Sequence, residues 1–120
     1  MTVALWITSA LLTMIYLLAG VMKVASSKEA VQPQMAYVED FAAGQVKAIG
    51  AVELLGALGV ILPLATGIAP VLTGVAAVGL AVVQVAALVV HVRRGEKSLP
   101  VNIALLLLAV AVAALRFATL

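Results

Sequence analysis

The 120-residue chain has no cysteine. Disulfides, thiolate catalysis and thiolate metal sites are therefore excluded within it, and its redox compartment is not legible. Charge is nearly as scarce. Charged residues make up 10% of the chain and aromatics 4%, with a single histidine. Seven Lys and Arg give a formal net charge of +2, with no basic patch interleaved with aromatics, so nucleic acid is not an expected partner. His91 and Glu53, one His and one Glu, cannot complete a metal site within the chain, so no metal is expected. No Ser shares a neighbourhood with both His91 and an acid, which removes a hydrolase triad. No catalytic set emerges, and whether the chain is an enzyme stays undecided. The N-terminal apolar stretch lacks a basic leader, so it reads as a retained span rather than a cleaved signal peptide.

In place of charge there are long apolar runs. Hydrophobic residues make up 66% of the sequence, against about 45–50% in soluble domains. The length suits one domain over residues 1–120. Four stretches, 3–22, 46–65, 70–91 and 99–118, meet the criterion of about 20 residues for a membrane-crossing helix. The predicted fold is an all-α, polytopic four-transmembrane-helix bundle, with the lipid bilayer as its first partner. Trp6 and Lys23 bracket the first span as an interfacial aromatic and a snorkelling cation. Pro63 predicts that the second helix stops or bends at Leu62.

Residues 24–46 form the one long polar connection. Pro33 can open a helix and Gly44 can end it. Between them Met35, Val38, Phe41 and Ala42 share a face, with Glu39 and Asp40 away from it. About ten residues are too few to span, so a short interfacial helix, lying on the membrane or folded over the bundle mouth, is expected. The alternative is a solvated connector.

The polar residues inside the spans are not scattered. In the first, Ser9, Thr13, Tyr16, Gly20 and Lys23 follow steps of four and three, which places them on one helical face. Ala77, Ala81, Gln84, Leu88 and His91 do the same in the third, and Asn102, Leu106, Ala109, Ala113 and Arg116 in the fourth. The second span carries Glu53, six residues in from Lys47 and so about 9 Å deeper along the axis. A carboxylate at that depth is costly against lipid and is expected to face protein or water. Two states are open to it: ionised beside Lys23 or Lys47, or neutral and donating a hydrogen bond, for instance to Gln84. Together Tyr16, Lys23, Glu53, Gln84, His91 and Asn102 gather toward one end of the bundle and form the candidate ligand-binding layer. The competing reading is a packing seam in which polar groups only hold helices together.

Six of the seven cations, Lys23, Lys28, Lys47, Arg93, Arg94 and Lys97, fall on the side of the two polar loops; only Arg116 falls on the other. The positive-inside rule then predicts a multi-pass cell-membrane protein with cytoplasmic loops and both termini outside. The small-residue edges Gly56/Gly59 and Gly74/Ala77/Ala81 are too many to point inward at once, which predicts self-association, most simply as a dimer.

Lys23, the segment Met35-Ala-Tyr-Val-Glu-Asp-Phe41, the stretch Lys47-Ala-Ile-Gly-Ala-Val-Glu53-Leu-Leu-Gly-Ala-Leu-Gly59 with Leu62-Pro63, the late His91, and Pro100-Val-Asn102 resemble the DoxX-like family over nearly the whole chain. The resemblance implies a four-helix membrane bundle with recurrent polar positions at Lys23, Glu53, His91 and Asn102. It also implies roles as subunits of membrane oxidoreductase systems, including quinone-linked sulfur oxidation, and, in a distant animal branch, as a receptor-assembly chaperone. A thiol version of the redox role lacks its cysteines here. Two functions follow as expectations. One is an accessory or ligand-facing membrane redox subunit, with a quinone or lipid held by Glu53, Gln84 and His91. The other is a scaffold or assembly chaperone whose glycine-lined helices bind a membrane-protein partner. A small transporter is weaker, because one four-helix unit lacks the inverted repeat of many carriers.

Overall fold

The computed structural model describes residues 2–27, 41–95 and 99–120. Four helices occupy them: α1 (Thr2–Ala25), α2 (Ala43–Thr66), α3 (Val71–Arg94) and α4 (Leu99–Ala118). All four are long and apolar enough to cross a membrane, and no strand occurs among the described residues. Each helix packs on its neighbour in sequence and α4 closes back onto α1, with α1–α2 and α3–α4 the most extensive pairings. The three chain-adjacent pairs and the closing α4–α1 pair are all antiparallel, so the two polar connections share one end, the loop end, and the termini share the other.

The sequence sets the helix ends. Ala42 N–H donates to Gln45 Oε1 at the start of α2 (2.8 Å). Gly67, at φ 71°, ends it, donating to the Pro63 carbonyl. Gly95, at φ 68°, ends α3 by donating to His91 and Val92. Both are left-handed positions where a Cβ is penalised. The helices outrun the predicted spans at the loop end, where α1 gains a turn to Ala25, α2 begins at Ala43 and α3 continues to Arg94.

Pro63 does not end α2; it lies buried inside it. The missing N–H removes one ladder bond, a loss that membrane helices tolerate when side chains re-satisfy nearby carbonyls. The carbonyl so freed is that of Gly59, and the helix nonetheless continues to Thr66, whose Oγ1 donates to the Leu62 carbonyl at 2.7 Å. Gly44 likewise ends no helix, because it lies in the first turn of α2. The interfacial helix expected before it falls outside the described residues.

The core holds Leu5, Leu12, Ala57, Val60, Ala77, Leu80, Ala109 and Val112, all at 2% exposure or less. Outward-facing Val, Leu and Ile cover the other faces, as in a helix set solvated by lipid. The glycine edges that suggested self-association are occupied within the chain. Leu80 fills the space beside Gly56, Ala76 lies against Gly59, and the Phe117 ring covers Gly74. The structure thus removes that argument for a dimer.

Candidate functional site

Gly20 and Gly50 set the geometry of the loop end. A Cβ on Gly50 would lie 2.6 Å from Lys23 Cβ and 2.9 Å from the Gly20 carbonyl, so the two backbones touch there. One turn beyond each glycine comes a charged residue, Lys23 on α1 and Glu53 on α2. Lys23 Nζ donates to Glu53 Oε1 in a buried ion pair, with the two residues 3% and 4% exposed. Of the two states open to Glu53, the structure shows the one paired with Lys23.

Lys23 therefore does not snorkel. Helix side chains lean toward their own N-terminus. At the C-terminal end of α1 that lean points into the bundle, so reaching the interface means bending against it. Glu53, on an antiparallel helix, leans the opposite way, and the two meet. Lys47 takes the interfacial role instead: exposed, it donates to the Val24 carbonyl at 2.8 Å and caps the end of α1.

On the other two helices, Gln84 Nε2 donates to Asn102 Oδ1 at 3.4 Å, with the residues 4% and 8% exposed. Antiparallel register places this pair at the depth of the first. Gly56 faces Leu80 and Gly59 faces Ala76, so toward the loop end Glu53 lies level with Val82 and Val83, within one to two residues of Gln84. Between the Gly20–Gly50 contact and the Thr13 Oγ1–Ala57 carbonyl bond, Glu53 also lies level with Tyr16, itself 3% exposed. Tyr16, Glu53, Gln84 and Asn102, one from each helix, thus form one buried layer, and the Lys23 ammonium reaches into it from nearer the loop end. His91, 8% exposed, is seven residues beyond Gln84 and so about 10 Å nearer the loop end, at the mouth.

The five-residue seam of α1 is buried throughout. Thr73 is a polar residue the sequence reading passed over. Fully buried, its Oγ1 donates to the Val60 carbonyl at 2.8 Å and ties α3 to α2 toward the termini. Its signal was available, since Thr73 stands four residues before Ala77 and extends the α3 face by a step. Ser9 is fully buried nearer the termini, and its Oγ has no hydrogen-bond partner among the described residues. No group of three or more His, Cys, Asp or Glu that could hold a metal occurs among the described residues.

Comparison with known proteins bears on this arrangement. The family model described as "DoxX-like family" matches residues 7–114, nine-tenths of the chain. The chain belongs to the DoxX-like family. Lys23, Glu53, Gln84, His91 and Asn102 all fall within the matched region of this DoxX-like protein. Neither the curated proteins nor the solved structures contain a match to it.

Proposed function

We propose that this DoxX-like protein is a membrane subunit that admits the head of a quinone or lipid into the loop end of its bundle, as an accessory of a membrane redox system. One observation carries the reading: every helix places a buried polar side chain at a single depth, inside an otherwise apolar wall. Apolar surroundings with a few convergent polar groups are the usual form of a small-molecule site. Pure helix glue does not require both pairs to share a level. The Lys and Arg distribution orients the site, with both connections cytoplasmic and both termini outside, so the ligand enters from the cytoplasmic leaflet past His91. A scaffold role draws less support, because Gly56, Gly59 and Gly74 are covered by the chain's own Leu80, Ala76 and Phe117.

The test is mass spectrometry of the lipids and quinones that copurify in mild detergent. The reading expects a defined amphiphile with the wild type and less of it with Glu53→Gln and His91→Ala. Equal contents in all three proteins, or nothing in any, would replace it with the scaffold.

A further inference from the structure

Arg116 is the one described cation at the termini end of the bundle. It continues the inner face of α4 after Ala109 and Ala113, and it is half-buried. Its Nη2 donates to Thr119 Oγ1 at 3.0 Å, while its Nε is buried with no hydrogen-bond partner among the described residues. Among the described residues the one side-chain carboxylate is that of Glu53, which is bonded to Lys23 toward the loop end.

Capping of α4 does not account for the guanidinium. The carbonyls of Leu115 and Arg116 are taken by Thr119, through its N–H (3.1 and 3.2 Å) and its Oγ1 (2.8 and 3.1 Å). An arginine presents Nε–H and a terminal N–H as parallel donors on one edge, a fork that fits two oxygens of a phosphate. Here Thr119 Oγ1 supplies an oxygen to one prong, and the other prong is unmet. A buried donor left unmade is costly, so the edge favours a ligand that brings a second oxygen.

Depth points to the source of that oxygen. The 20 residues of α4 make it about 30 Å long, the thickness of a hydrocarbon core. Arg116 is two residues from the end of α4, where hydrocarbon gives way to phosphate. Phe117 and Leu120 beside it are 45% and 59% exposed, apolar flanks for acyl chains. Asn102 is 14 residues away along α4, about 21 Å, so this place is separate from the buried layer.

We propose that Arg116 holds the phosphate of a phospholipid in the leaflet at the termini end. A small swing of the guanidinium toward the headgroups exposes Nε to one phosphate oxygen. A second oxygen replaces Thr119 Oγ1 on Nη2, and the Thr119 hydroxyl keeps its bond to the Leu115 carbonyl.

The test uses the whole protein, stripped of lipid in a mild nonionic detergent, with affinities read by native mass spectrometry. The probes are dilauroyl phosphatidylglycerol, dilauroylglycerol (the same chains without the phosphate) and inorganic phosphate. In the wild type the phospholipid is expected to bind about tenfold or more tighter than the glyceride. Arg116→Gln is expected to lose about tenfold for the phospholipid and nothing for the glyceride. Arg116→Lys keeps the charge without the fork and is expected to lose about threefold or more. Arg93→Gln removes an exposed cation of the loop end and is expected to leave the tightest phospholipid site unchanged. Equal phospholipid affinity in the wild type and a folded Arg116→Gln protein, or full affinity retained by Arg116→Lys, overturns the proposal. A loss in Arg93→Gln as large as that in Arg116→Gln overturns it as well. Displacement of the phospholipid by millimolar inorganic phosphate would give the site to a free anion and overturn the lipid.

Discussion

Replacing Glu53 by leucine leaves the Lys23 ammonium without its carboxylate, at 3% exposure and against the Gly50 backbone. Removing one partner of a buried ion pair costs about 3–5 kcal/mol in soluble proteins. Two features of this bundle hold the loss to the lower end, about 3 kcal/mol. Lys23 is two residues from the end of α1, so fraying the last turn lets the ammonium reach the interface. Lys47 is also close enough to keep Val24 capped while it does so. Glu53→Gln keeps the size and an acceptor oxygen for Lys23, and its loss is expected near 1 kcal/mol. The double variant Lys23→Leu with Glu53→Leu removes both charges of the pair and is expected to return to within about 1 kcal/mol of wild type, because neither member is left buried without the other. Equilibrium denaturation in mixed micelles, followed by helical circular dichroism, gives all four stabilities. Equal stability of Glu53→Leu and Glu53→Gln, or a double variant no better than Glu53→Leu alone, would refute the reasoning.

The glycines give a matched contrast. Gly50→Ala is expected to destabilise the bundle by about 1–3 kcal/mol, because its Cβ meets the Lys23 Cβ and the Gly20 carbonyl, whereas Gly79→Ala, with nothing within 4 Å, is expected to be neutral or slightly stabilising by the same denaturation assay. Thr73→Val is expected to lose about 0.6 kcal/mol, and at most about 1.7, with the bond to the Val60 carbonyl; no loss would mean that water or lipid replaces that bond. Cysteines introduced singly at Thr2 and Ser98 of this cysteine-free chain are expected to react with an impermeant thiol reagent from opposite faces of the membrane; reaction from the same face contradicts the orientation.

Much of this was legible because lipid enforces it. Polar side chains inside a span must turn inward, so steps of four and three along Ser9, Thr13, Tyr16, Gly20 and Lys23 located a face that is buried throughout. The burial of Glu53 followed from the same argument. What the chain hid was register. Nothing local says that Gly20 meets Gly50, and that contact is what turns Lys23 from a snorkelling residue into the partner of Glu53. For the same reason Gly56, Gly59 and Gly74 looked like surfaces for another chain, although Leu80, Ala76 and Phe117 fill them. As a helix stop Pro63 misled, because the rule for proline weighs the lost bond and the clash, whereas a membrane helix has few better conformations for its backbone. The bond between Gln84 and Asn102 joins residues 18 apart across a turn, and only the α3–α4 register reveals it.

The most direct test of the account is to locate the head of a bound ligand. Quinone and lipid analogues carrying a diazirine in the head would each be photolysed with the protein in native membranes, and the adducts mapped by peptide mass spectrometry. The account predicts, for one of them, adducts concentrated on residues 80–91 and 99–106, around Gln84 and Asn102, and diminished by an excess of its unlabelled parent compound. With both analogues, adducts spread evenly over the outward-facing Val and Leu of all four helices, and unaffected by competitor, would contradict a site in the buried layer.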